Sequence, residues 1–322
     1  MKNVIIYGGN FASKVIIKAL KNHNFLINHF DTSKKRASIN LLSNASYIFV
    51  AIPPYKNLDL FKELSLEKKK IFIEKPLSNN LKSAYDIKNI CEKQNLEIFI
   101  DYTFNFMKIF QFLFNEIFIN NEKILNYKFV WLTKTLQNNF TNGWKNDSSK
   151  GGGGLYNFIS HLISLILNNF SDITSLTSRL NNKDFESYIF YEYAGVISIK
   201  HNDKAKGVIS YDILSDKNEF SLEINTQKNR YKLLSLEKDF FKHLKLFKNN
   251  KEIYNQYNNN NNNNNNDSRL ETVSECIHSF LNQNLLSKKM DLNHAIKVQQ
   301  ILHLIQTSHR KREEIFLNEI KN

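Results

Sequence analysis

Residues 4–20 read VIIYGGNFASKVIIKAL: an apolar run, a pair of glycines, then apolar residues at helical spacing. A strand that enters a helix through glycine is the setting of the GxGxxG/A fingerprint, and Gly9 and Ala12 fall on its second and third small-residue positions. Gly9 lets the backbone approach a pyrophosphate, and Ala12 lets the helix pack closely on the sheet, leaving free N–H groups and the positive helix end for the phosphates. Tyr7 stands where the first glycine belongs, so the tight turn draws its backbone freedom from Gly8. An ordinary strand-to-helix turn is the competing reading. Asp31 follows about 20 residues on, at the end of the next apolar run, where a carboxylate binds ribose hydroxyls and disfavours a 2′-phosphate. That points to NAD. Ser33, Lys34, Lys35 and Arg36 come directly after and could hold a phosphate, so NADP stays open; the alternative is a solvated helix start.

Outward from this turn the pattern repeats. FLINHF (25–30), YIFVAI (47–52), IFIE (71–74) and LEIFID (96–101) read as buried parallel strands joined by crossover helices, the signature of a doubly wound α/β sheet. After Phe104 the pattern changes to a helix over 106–120 and a long strand near 125–135. Between 173 and about 236, GVISIKH, GVISYDI and FSLEINT alternate with period two, as half-exposed antiparallel strands do. The expected organisation is a dinucleotide-binding domain over 1–104 and an α/β domain with a large, mostly antiparallel open sheet over 105–322. The asparagine tract 258–266 can bury nothing and is expected to be a disordered surface loop. Helices over 270–284 and 293–308 close the chain.

The formal charge is +13, from 44 Lys and Arg against 31 Asp and Glu. Lysine is scattered over nearly every segment and forms no aromatic-interleaved stripe, so nucleic acid is not an expected partner. Cys91 and Cys276 lie far apart without histidine at ligand spacing, which argues against a disulfide framework and a zinc site. VIIY reaches Gly8 too early for a signal-peptide core, and no run reaches 18 apolar residues. The expectation is a cytoplasmic, soluble protein with no membrane partner.

A second stretch, KGGGGLYNFISHLISLILNN (150–169), runs four glycines into a helix without a charged residue, although 23% of the chain is charged. Asn157, His161, Ser164 and Asn168 share one face at 3.6 residues per turn. A stripe of amides, hydroxyls and one imidazole behind a flexible glycine entrance suits the wall of a polar cleft. The alternative is an amphipathic helix with an under-charged outer face.

With GGNFA, AIPPYKN (51–57), IEKPLSNN (73–80), GWKNDSSKGGGGLYNFISH (143–161) and a terminal helix ending QTSHRK, the chain resembles the Gfo/Idh/MocA oxidoreductases over nearly its whole length. The resemblance implies a Rossmann domain joined to an α/β domain whose sheet often pairs in dimers or tetramers, and a nicotinamide cofactor, NAD with NADP not excluded. It implies a cofactor site shaped by Gly8, Gly9, Asn10, Phe11, Ala12, Asp31, Ala51, Pro53, Pro54, Glu74 and Lys75. By the same resemblance Lys75 binds the reacting hydroxyl or ketone beside the nicotinamide, and His161 is the general acid/base, a task suited to an imidazole. Trp144 and Lys145 match a Trp-Arg pair near the substrate, and Asn157 and Tyr102 complete the substrate-binding set. Three positions depart from the family: Asn157 and Ser164 stand where Asp is common, and Asn105 where many members have Arg. An amide still bonds a sugar hydroxyl but cannot stabilise an imidazolium by charge. The reading is an NAD(P)-dependent, metal-free dehydrogenase acting on a sugar, nucleotide sugar or cyclitol. The alternative is a dinucleotide-binding sensor or scaffold of the same fold.

Overall fold

The computed structural model describes residues 1–31, 37–64, 68–134, 143–185, 189–256 and 267–317. The asparagine tract and the basic run Ser33 to Arg36 lie outside the described residues. The chain divides into two compact units, one comprising Met1–Phe106, Ser149–Gly151 and Asn265–Gln300, the other Met107–Ser148, Gly152–Asn264 and Ile301–Asn322.

Five strands, β1 (Lys2–Gly8), β2 (Phe25–Phe30), β3 (Tyr47–Ala51), β4 (Lys70–Glu74) and β5 (Glu97–Asp101), form the sheet of the first unit. All pairs are parallel, in the order β2-β1-β3-β4-β5. The central strands are apolar because both faces are covered: Val4, Ile5, Ile6, Ile48, Phe49, Ile71, Phe72 and Ile73 are buried. FLINHF, expected to be equally buried, is the edge strand and only half-covered, with Leu26 exposed. The helix Leu81–Lys93 begins at Asn80, whose side chain accepts a hydrogen bond from the Ser83 amide at 2.8 Å, the usual N-cap arrangement.

One helix changes the expected division. Leu270–Asn282, assigned from the sequence to the second domain, packs in the first unit, where Phe280 meets Tyr47, Phe49, Phe72 and Phe99 at ring separations of 5.6, 5.8, 5.7 and 5.6 Å. Four aromatic rings on neighbouring strands make a patch that needs an aromatic lid, and Phe280 supplies it.

In the second unit β6 (Ile124–Leu132), β7 (Ile173–Phe185), β8 (Ile189–His201), β9 (Lys206–Asp212), β10 (Glu219–Thr226), β11 (Arg230–Ser235), β12 (Lys245–Lys248), β13 (Lys251–Asn255) and β14 (Ile315–Phe316) form one sheet. Its order is β13-β12-β11-β10-β6-β9-β8-β7-β14, antiparallel throughout except where β6 pairs parallel with β9. Burial alternates along β9 and β11, as the period-two pattern predicts. Helices cover the buried face: Phe110, from the helix Lys108–Ile119, meets Phe220 edge-on at 6.3 Å, and Phe158 meets Trp131 at 5.0 Å.

Candidate active site

In the first unit the turn after β1 is shaped by close approach. A Cβ on Gly8, whose φ is +153°, would stand 2.6 Å from the Ala51 carbonyl oxygen on β3 and 3.0 Å from Cβ of Ala12. His29 Nε2, from β2, donates to the Gly8 carbonyl at 2.8 Å and holds the turn from the other side, a support the sequence did not disclose. Tyr7 is wholly buried, its ring 5.9 Å from that of Phe30. The position of the fingerprint's first glycine thus belongs to the strand core, and Gly8 and Gly9 make the turn.

A Cβ on Gly9 would meet no atom within 4 Å. This open space lies ahead of a helix that runs from Asn10 into a π-helical segment, Ala12–Ile16, where no side chain makes a cap hydrogen bond. Uncapped amides at a helix start, approached across a glycine, fit a pyrophosphate. Asn10 is exposed and Phe11 half-buried beside that opening, and Ala12 is buried. Asp31 is exposed just beyond β2; Ala51 ends β3, followed by half-buried Pro53 and buried Pro54. All these groups follow the C-terminal ends of parallel strands, the edge where such sheets bind ligands.

The same edge carries Glu74 and Asp101, opposite one another in the register of β4 and β5. Asp101 is fully buried and accepts from Thr103 Oγ1 at 3.0 Å. Burial drives the Glu74 carboxyl up to about 8, and the neighbouring Asp101 adds to the rise, against the opposing cations Lys75 and Arg269. Burial likewise raises Asp101, to about 6, while the Cys276 and Thr103 side chains and the charges of Lys75 and Arg269 pull it down. Lys75, half-buried, is therefore in electrostatic reach of both acids. Sequence reading singled out Glu74 and Lys75 but missed Asp101, whose role depends on strand register. Tyr102 is wholly buried, edge-on to His294 at 5.6 Å, and its hydroxyl has no hydrogen-bond partner among the described residues. Burial pushes its phenol well above the usual range. Asn105 is buried and donates to the Tyr102 carbonyl at 3.3 Å.

Gly151 belongs to the first unit, where its Cβ would stand 2.8 Å from Cγ of Pro54; Asn79 Nδ2 donates to the adjoining Ser149 carbonyl at 2.7 Å. In the second unit a Cβ on Gly152 would lie 2.4 Å from the Trp144 carbonyl oxygen, one on Gly153 2.5 Å from Glu192 Oε2, and one on Gly154 2.4 Å from the Tyr211 ring. The glycine run, expected to be a flexible entrance, is a set of close approaches with a different neighbour at each step. Half-buried Trp144 and exposed Lys145 form a 3-10 turn with Asn146, and Lys145 Nζ lies 6.0 Å from the Trp144 ring centre.

The helix that follows starts with a π-turn, Leu155–Ile159, and continues as Ser160–Asn169. None of residues 151–170 is exposed, so the polar stripe does not face bulk water. His161 and Ser164 are buried; Asn157 is half-buried and its Nδ2 donates to the Gly153 carbonyl at 3.0 Å. Glu192 on β8, unmarked in the sequence, accepts from Ser148 Oγ beneath this turn. Burial raises its carboxyl to about 7 against the pull of that bond. Among the described residues no group of three or more His, Cys, Asp or Glu could hold a metal ion, and no helix is long and apolar enough to cross a membrane.

A parallel sheet with an open diglycine turn, and a Glu-Lys-Pro segment at the same edge, define a dinucleotide-binding α/β protein. Residues 14–102 match the Gfo/Idh/MocA family model, described as oxidoreductase family, NAD-binding Rossmann fold, in agreement with the parallel sheet of the first unit and with the resemblance. The chain is 24% identical over 201 residues to the uncharacterized oxidoreductase sll0816 of Synechocystis sp.; the match spans 55% of this chain and 54% of that protein, about half its length. Among solved structures, an oxidoreductase from Thermotoga maritima superposes with a TM-score of 0.77 at 15% identity, covering 100% of both chains. The WlbA dehydrogenase from Bordetella pertussis, in complex with NADH and UDP-GlcNAcA, gives 0.74 at 15% identity over 98% of each chain. The super-repressor mutant of Gal80p from Saccharomyces cerevisiae gives 0.79 at 13% identity, covering 98% of this chain and 97% of that one. At these identities the superpositions establish the fold.

Proposed function

We propose that the protein is an NAD-dependent dehydrogenase or reductase acting on a hydroxyl or keto carbon of a sugar, nucleotide sugar or cyclitol. The observation that carries this reading is the placement of Lys75 and the open Gly9 turn on one edge of one sheet, the edge that receives the cofactor. Bound nicotinamide accepts or gives the hydride at C4; the protein contributes alignment and proton handling. In this reading Lys75 holds the reacting oxygen and His161 takes the hydroxyl proton as hydride leaves carbon. Trp144, Lys145, Asn157 and Tyr102 hold the rest of the substrate. Exposed Asp31 supports NAD over NADP, because a 2′-phosphate beside a carboxylate is repelled. The WlbA complex with NADH and UDP-GlcNAcA supports the substrate class.

Steady-state NAD reduction over a panel of sugars, nucleotide sugars and cyclitols is expected to find turnover. Lys75→Ala is expected to lower kcat at least about 100-fold, the range of a lost positioning or proton-transfer group, with NADH affinity nearly unchanged. Full-rate turnover by that variant overturns the role given to Lys75. A second reading, a dinucleotide-binding sensor without turnover, is favoured by the amide at Asn157 and by a fold shared with a protein described as a repressor. It predicts tight NADH binding with no turnover anywhere on the panel.

A further inference from the structure

Arg269 comes from the far end of the chain, yet its guanidinium carbon lies 4.9 Å from the centre of the Phe11 ring, within the first unit. Phe11 lies in the first turn of the helix that follows the open Gly9. We propose that Arg269 is a phosphate-binding residue of the dinucleotide site, a cation delivered to the fingerprint turn by the returning C-terminal segment. The inference rests on the NAD-binding assignment of this unit and adds a residue to it.

Three observations carry it. First, the guanidinium is held in place without being used up. Nε and Nη2 donate to Asp267 Oδ1 and Oδ2 at 2.9 and 2.7 Å, and Asp267 Oδ1 also accepts the Arg269 amide at 3.0 Å. Among the described residues this leaves Nη1 with no hydrogen-bond partner, on a side chain 44% exposed. A planar fork fixed along one edge and stacked on an aromatic face is pre-organised to offer its remaining N–H groups to a phosphate.

Second, the turn itself lacks cationic charge. GGNFA contains no basic residue, and a helix start contributes only about half a positive charge. A pyrophosphate brings two negative charges to an edge that already holds Asp101, which interacts electrostatically with Arg269. A cation beside the turn offsets that repulsion. Third, the stack on Phe11 places the charge beside the open turn, and Leu270–Asn282, the helix that delivers it, is anchored by Phe280 in the core of the same unit.

The test is a titration of NADH fluorescence with wild-type protein, Arg269→Ala and Arg269→Lys, with ADP and adenosine as competitors and a thermal melt of each variant. Arg269→Ala is expected to weaken NADH and ADP by at least about tenfold, as for a lost charged hydrogen bond, and to leave adenosine unchanged. Arg269→Lys is expected to recover part of the loss, since it restores charge but not the fork. Unchanged NADH affinity in Arg269→Ala overturns the proposal, as does an equal loss for adenosine, which marks a purely structural role. If Arg269→Ala does not fold, Arg269→Lys carries the test: a few-fold loss for ADP with none for adenosine supports the proposal, and no loss for ADP overturns it. Failure of wild-type protein to bind NADH overturns the cofactor assignment itself, a different result from wild-type binding with indifferent variants.

Discussion

A methyl group at position 153 would stand 2.5 Å from Oε2 and 2.8 Å from Cδ of Glu192, on a backbone with φ of +81°. The carboxyl cannot swing aside cheaply, because it is buried and bonded to Ser148. Gly153→Ala is therefore expected to cost about 1–3 kcal/mol from overpacking, with left-handed strain in addition. Urea unfolding checks this, and a midpoint equal to wild type would show that the turn has slack. The same residues mark what a sequence can disclose. Gly9 and Ala12 were legible because their reason is local: a strand, a turn and a helix within nine residues of each other. The glycines from 151 onward were visible as a run but misread as flexibility, since their reasons, Pro54, Glu192 and Tyr211, are distant in sequence. Asp101 and Arg269 escaped for the same cause, one acting through strand register and the other through a long return of the chain.

Among the elements, the strands of the parallel sheet were the most legible, because burial on both faces writes itself as continuous apolar runs. The helix Leu270–Asn282 was equally legible as a helix, with Val273, Cys276, Ile277 and Phe280 on its buried face. Periodicity says that such a face is covered, but not by which core. That explains why the first domain seemed to end near residue 104. Phe280 decides the matter, with four strand aromatics around it. Phe280→Ala is expected to destabilise the first unit by about 3–5 kcal/mol, the usual cost of emptying a core phenylalanine site. Hydrogen exchange would show the loss in β3, β4 and β5, with β6 to β11 of the second unit keeping their protection. Uniform loss across both sheets would mean that the helix stabilises more than the unit it packs in.

For the molecule as a whole, buried ionisable groups set how stability responds to pH. Burial holds His294 down to about 4 and also lowers His201, His303 and His309. Such histidines bind protons more readily when unfolded, so they make stability rise with pH until their ordinary value near 6.5 is passed. The raised acids act in the opposite sense. Glu74, Glu192 and Asp101, at about 8, 7 and 6, keep protons in the folded chain that the unfolded chain releases near pH 4. Their contribution is complete below the unfolded value and is lost as pH climbs through the folded one. Above pH 7 the histidine contribution is nearly spent while Glu74 and Glu192 are still releasing protons. Stability is therefore expected to fall between pH 7 and 8, on the order of 1 kcal/mol for each unit of unmatched titration. Glu192→Gln keeps the shape beneath the glycine turn and removes that unit's titrating proton, so it is expected to flatten part of the decline. Glu74→Gln is expected to do the same for the first unit. Thermal melts across the range decide it: a wild-type Tm that holds level or rises from pH 7 to 8 would mean that these carboxyls are already ionised in the folded protein.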